Sequence, residues 1–204
     1  MGKFTTTAIA VAIGLTFSAG AMAQTMSKND YKTGMDSIAA EYKSDKSICE
    51  SLSGNANDVC MAEANGKEKI AKADLEVRNK NTNESRYEAL VTKAEAGYSV
   101  AKERCDDQAG NAKDVCLKEA KAAEVAAKAD AKSQKKISKA NKKADNESVE
   151  VRKEATDESA DARRDAATDK RDANYAVAKE KCDALAGGAK DSCMNEAKLH
   201  YGKM

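Results

Sequence analysis

Six thiols are the residues whose type and spacing could do chemistry. Cys49 and Cys60, Cys105 and Cys116, and Cys182 and Cys193 form three pairs, each separated by the same eleven positions. Thiols offer three chemistries: a dithiol redox centre, a thiolate metal site, or a structural disulfide. No Cys-x-x-Cys occurs, which speaks against the first. Ten intervening residues do not match a zinc-ligand spacing, and the chain holds one histidine, His200, which speaks against the second. An even count with one repeated interval favours nearest-neighbour disulfides, although six cysteines allow fifteen pairings. No residue is assigned a catalytic, cofactor-binding or metal-binding role, and no cofactor is expected.

The cysteines belong to a 23-residue pattern that occurs three times without gaps, at 42–64, 98–120 and 175–197. Each copy has Tyr, Cys seven positions on, Gly five further, then Asp, the second Cys and Glu-Ala. Gly54, Gly110 and Gly187 follow helical runs and are placed to end a helix in the left-handed conformation, with Asn55 and Asn111 starting the next one. Each copy therefore reads as a helical hairpin with its cysteines level across the turn. Helix axes about 10 Å apart, with Cα radii of about 2.3 Å, leave about 5.4 Å between facing Cα atoms, within disulfide range. Tyr98, Ala101 and Cys105 share a face, as do Tyr175, Ala178 and Cys182. The expectation is that each Tyr lays its ring over small residues of the partner helix and keeps its hydroxyl wet, a ligand-binding ring being the alternative. Symmetry about the third turn sets His200 opposite Tyr175.

Compartment follows from residues 1–23. Lys3, an apolar stretch from Ala8 to Phe17 and the exit Ala21-Met22-Ala23 make an export signal, with cleavage expected after Ala23. Its apolar core is short of the ~20 residues of a membrane span, and no later stretch approaches that length. The mature chain is expected in the periplasm, where disulfides persist, and without a transmembrane span.

Composition limits what the mature chain can build. Its 181 residues include six Leu, four Ile, nine Val and no Phe, and Pro and Trp are absent throughout. So little apolar material cannot fill an ordinary core. The excess of Ala, Lys, Glu and Arg instead favours helix, since these side chains lose little entropy there. Glu-to-Lys pairs four apart, Glu63 with Lys67, Glu68 with Lys72, Glu76 with Lys80 and Glu124 with Lys128, add about 0.2 to 0.5 kcal/mol each. The mature chain carries 34 basic and 34 acidic side chains, a balance that argues against a dedicated nucleic-acid binder.

Between the hairpins run charged connectors, the second longer by 21 residues as judged from the cysteine intervals. Along it small or apolar residues recur from Ala122 through Ala129, Ser133, Ala140, Ser148, Ala155, Ala162 and Ala166 to Val177, broken at Lys170. The steps of four, four and three give a period of 3.67 per turn and one nearly straight face. A helix without interruption over 111–186 would run roughly 110 Å. Two states are open to it, a solvated single helix or a close-packed alanine coil with a second helix or chain; the expectation is weak antiparallel packing near the hairpins and exposure in the middle. Charge is segregated here: Lys132, Lys135, Lys136, Lys139, Lys142 and Lys143 precede an acidic run from Asp145 to Asp161. The lysines are either a solvated face or a patch for anionic envelope polymers or lipid headgroups.

The expected fold is thus all-α and coiled-coil-like, with elongated helices joined by three disulfide-stapled hairpins. It divides into a signal (1–23), first hairpin (28–66), helical connector (67–97), second hairpin (98–123), long charged connector (124–174) and third hairpin (175–204). The stretch 121–130 (KAAEVAAKAD) resembles the small exported Ala/Lys/Glu-rich helical proteins of bacteria labelled cell-envelope biogenesis or TolA-like. That resemblance implies an envelope setting and a non-catalytic helical role. TolA proper keeps a membrane anchor and a folded C-terminal domain, whereas this chain ends in a helix terminus at 198–204, so its energy-coupling role does not carry over. The functional expectation is a non-catalytic envelope spacer or interaction protein, with an envelope protein or anionic polymer as partner. The alternative is a periplasmic stress-protection protein binding metal or clients.

Overall fold

The computed structural model describes residues 26–145 and 149–203. The export signal and its cleavage point after Ala23 lie outside these residues, as does Ser148 of the small-residue stripe. Of the described chain 89% is helical, in six helices and with no strand. They are α1 (Lys28–Cys49), α2 (Asn55–Lys80), α3 (Asn83–Cys105), α4 (Gly110–Ala144), α5 (Val149–Cys182) and α6 (Gly187–Tyr201). The all-α reading holds, and each helix is built from the strong helix formers that dominate the sequence. Three of the four expected Glu-to-Lys pairs form, at Glu68–Lys72, Glu76–Lys80 and Glu124–Lys128. The fourth does not: Glu63 pairs with Arg104 on α3, and Lys67 with Asp45 on α1.

The connectors depart from the sequence expectation. Neither is one continuous helix; each reverses in its middle, so the six described helices are joined by five reversals rather than three. The first is at Asn81, whose φ of 48° is left-handed, followed by Thr82. Thr82 and Ser85 cap α3 reciprocally, each side chain accepting from the other residue's backbone N–H at 3.0 and 3.1 Å. These bonds satisfy donors that an uninterrupted helix would have used. The second reversal separates α4 from α5, so the 110 Å rod becomes two legs of 35 and 34 residues, each about 50 Å long.

Every helix packs antiparallel on its chain neighbours, and the described helices make no other contacts between them. The result is a serpentine array one helix thick. Because direction alternates, the three cysteine turns share one end, and the reversals at 81–82 and after Asp145 share the other. The α4–α5 pair is longer than α2 and α3 by nine and eleven residues. With Asn83, at the start of α3, meeting Ser138, the last turns of α4 project beyond the α2–α3 reversal. That projection is where the 21 extra residues of the long connector have gone.

A single layer has no interior for large side chains, and its seams are made of alanine. Ala62, Ala64, Ala89, Ala94, Ala96, Ala129, Ala131, Ala140, Ala155, Ala162 and Ala166 are all buried, with Ser133 and Ser159. The stripe on the long connector therefore faces its own second half and is buried along the middle as well as near the hairpin, contrary to the expected exposure there. Small side chains let backbones approach closely, so dispersion contacts replace bulk burial. Leu75 is the largest fully buried side chain, and it fits because Gly34 lies opposite: a Cβ at Gly34 would sit 2.9 Å from Leu75 Cδ1. Ion pairs flank the seams: Lys93–Asp74 between α2 and α3, Lys128–Glu95 between α3 and α4, Lys136–Asp165 and Lys181–Glu119 between α4 and α5. Exposed pairs of this kind contribute about 0 to 1 kcal/mol each, so they set register more than stability.

Candidate functional site

The three stapled turns are the most constructed feature of the molecule. Cys49–Cys60, Cys105–Cys116 and Cys182–Cys193 are bonded, with Cα separations of 5.5, 5.7 and 5.7 Å. The pairing and the spacing argued from helix geometry both hold. One sulfur position in each pair is fully enclosed, since Cys49, Cys105 and Cys182 are at most 1% exposed. The turn glycines have positive φ of 59°, 58° and 56°, but at a different place from the one expected. They open the following helix instead of ending the preceding one. Gly54 has ψ of −149°, a conformation essentially restricted to glycine, and a Cβ there would touch nothing within 4 Å. Backbone conformation, rather than space, demands glycine at this position.

A second cross-turn link escaped the sequence reading. Lys113 bonds Asp106 at 2.9 Å in the second copy, and Lys190 bonds Asp183 at 2.8 Å in the third. These are the same two repeat positions, one after the first Cys and three after the Gly. The paired lysine holds the Asp183 carboxyl below its ordinary range. In the first copy Asn57 replaces the lysine, and its Nδ2 donates to the Cys49 carbonyl at 2.7 Å. The recurring Asp/Lys combination was the available signal. Asn111, expected to start a helix, also reaches across to α5, donating to the Glu180 carbonyl at 3.2 Å.

Tyrosines latch the same hairpins. The Tyr42 hydroxyl donates to Asn65 Oδ1 at 2.6 Å, so it is bonded to the partner helix and not simply wet. Lys121 lies 5.0 Å over the Tyr98 ring, and Lys135 lies 4.3 Å over Tyr87. Tyr31 and Tyr87 precede Tyr42 and Tyr98 by the same eleven residues, or three turns, placing both rings of each pair on the hairpin side. The Tyr31 hydroxyl hydrogen-bonds Glu76, which pushes its pKa up. In the third copy the corresponding residue is Arg164, which pairs within its own helix to Asp161. Tyr175 faces Tyr201 at 6.0 Å between ring centroids; His200 sits beside Tyr201 and is exposed. Symmetry was off by one residue because the turn is not a true dyad.

The six lysines of the long connector do not stand apart as a basic patch. Reversal of the chain lays acids of α5, some of them in that run, beside the lysines: Lys143 bonds Glu154 and Lys136 bonds Asp165, while Lys135 bonds Glu84 on α3. Hydrogen bonding to Asp165 pushes Lys136 up, with Glu158 and Asp161 adding to the field. Lys132 and Lys139 are exposed and lie near the same acids, Asp165 and Glu84 respectively. Lys142 is exposed as well. Segregation in sequence thus becomes neutralisation in space.

Glu124 is a buried carboxylate that the sequence disguised as an ordinary helix pair. It is 6% exposed and bonded at 2.7 Å to both Lys121 and Lys128, the latter also reaching Glu95 on α3. Burial pushes its pKa up, but the two lysines outweigh that and hold it below the ordinary range. A depressed carboxyl stabilises the fold fully above the unfolded value of about 4.3, and that stabilisation disappears as pH falls through the lower folded value. Glu124→Gln is therefore expected to cost about 1 to 2 kcal/mol at neutral pH, judged by urea melts, and progressively less as the pH is taken down through the acid range. A deficit that does not shrink as the pH falls would show that shape, not charge, matters at this position.

A shallow groove between α3 and α4 is lined by Arg86, Tyr87, Leu90, Ala131 and Lys135. Among the described residues no group of three or more His, Cys, Asp or Glu is placed to hold a metal ion, and no helix is long and apolar enough to cross a membrane. No protein-family model, no curated protein and no solved structure matches this chain.

Proposed function

We propose that this chain is a non-catalytic protein of the cell envelope, exported to the periplasm, that works as an interaction surface. The observation that carries the reading is the single-layer serpentine, in which consecutive helices alone touch. Such an array leaves long, charge-rich helix faces open on both sides and aligns three rigid turns at one end. Three disulfides support an oxidising compartment, in keeping with the export signal at 1–23. Of the two roles expected from the sequence, spacer and interaction module, the folded-back legs favour the second, since reversal halves the reach while multiplying the exposed faces.

The test is recovery of the oxidised protein from the periplasmic fraction after in-cell crosslinking. Reproducible attachment of defined envelope proteins or polymer is the expected result. A partnerless monomer would remove the reading. A rise in melting temperature on adding a divalent metal would point to the metal-binding alternative instead.

A further inference from the structure

Each disulfide closes the same eleven-residue step, so each restrains the unfolded chain equally. What differs is what else holds the second helix of each hairpin. Helix α2 is packed between α1 and α3, and α4 between α3 and α5. Helix α6 has α5 as its one neighbour, spans 15 residues and buries Ala197 alone. The latching tyrosine three turns up is missing here, because α6 stops before it could be met. Beyond the disulfide, α6 is tied by Lys190–Asp183, by the Tyr175–Tyr201 ring contact and, through Lys203 just past its end, by Asp172. An isolated helix of this length is marginal in water. The bond is approachable from its Cys193 side, where an open groove is lined also by Ala197, Leu199 and His200, while Cys182 is buried. Tyr201 in turn forms one wall of an open groove whose other sides are Ala122, Ala126, Val177 and Ala178 on α4 and α5.

We propose that the Cys182–Cys193 disulfide is a redox latch whose reduction frees α6 and removes the Tyr201 wall of the α4–α5 groove, while helices α1 to α5 stay folded. The reductant is a dithiol: it gives two electrons and two protons, becomes a disulfide, and leaves Cys182 and Cys193 as thiols. Release then follows from the loss of the one covalent restraint on a poorly supported helix. The groove then left open has an alanine and valine floor edged by Glu119, Asn174 and Lys181.

Hydrogen exchange read by mass spectrometry tests this on the full mature chain. In Cys182→Ser with Cys193→Ser, amide protection over 189–201 should fall about a hundred-fold, with α1 to α4 unchanged. In the matched control, Cys105→Ser with Cys116→Ser, α4 should not exchange ahead of α3 and α5, because α4 keeps two neighbours. With limiting dithiothreitol on the unmodified chain, alkylation should label Cys182 and Cys193 before the other four. The proposal is overturned if α6 keeps its protection in the first variant, if all helices lose protection together, or if another pair is labelled first.

Discussion

Complete reduction of the three disulfides is expected to lower the melting temperature by about 20 °C or more, followed by far-UV circular dichroism on oxidised and on reduced, alkylated protein. Each bond closes a short loop and contributes about 3 kcal/mol in the chain-entropy account. Three such terms are comparable to the whole stability of an ordinary domain, about 5 to 15 kcal/mol. Here little else is available, because among the described residues fourteen of the nineteen buried apolar side chains are alanine, and a methyl group removes little area from water. Melting temperatures within a few degrees of each other would mean that the alanine seams alone hold the array.

A leucine placed in the α4–α5 seam is the second large effect. Ala129→Leu on α4 and Ala162→Leu on α5 should each destabilise by about 1 to 3 kcal/mol or more in urea unfolding, since both alanines are nearly inaccessible, at 4% and 2% exposed. In an ordinary core a larger apolar residue sometimes finds room; between two backbones held close by methyl groups it has to push the helices apart over their whole contact. Ala127→Leu on the exposed side of α4 is the control and should stay within about 0.5 kcal/mol of the parent. Equal effects at Ala127 and Ala129 would show that the seam is not close-packed.

These two predictions rest on features that differed in legibility. The cysteine pairing could be read from one sequence because it is local: eleven residues, two helical legs and one glycine settle it with helix geometry alone. The stripe of small residues was equally visible, but its partner was not. A stripe with a period of 3.67 says that a face will be covered and cannot say by what, since a second chain, a second domain and the other half of the same helix satisfy it alike. The reversals that decide the matter carry weak local signals. Both contain Asn-Glu-Ser, at 83–85 and 146–148, embedded in polar sequence that helices also tolerate. At the first, Thr82 supplies the capping box with Ser85; such a cap is worth about 1 kcal/mol, too little to stand out from propensity.

Glu124 and the lysine run make the same point for charge. In sequence Glu124 is one of many carboxylates with a lysine four residues on. Its burial comes from α3 lying alongside, and its depressed pKa from Lys121 and Lys128, which outweigh that burial. The basic and acidic runs read as a dipole along a rod until the rod folds, and then they cancel.

The amino-acid sequence by itself determined helix content, the three stapled turns and the absence of material for a bulky core, because propensity, short loop closure and composition are local or additive quantities. Tertiary structure decided where the connectors reverse, which faces alanine buries and which charges neutralise one another. Those outcomes depend on close backbone approach between segments distant along the chain, where many weak contacts act together and none is strong enough to be read alone.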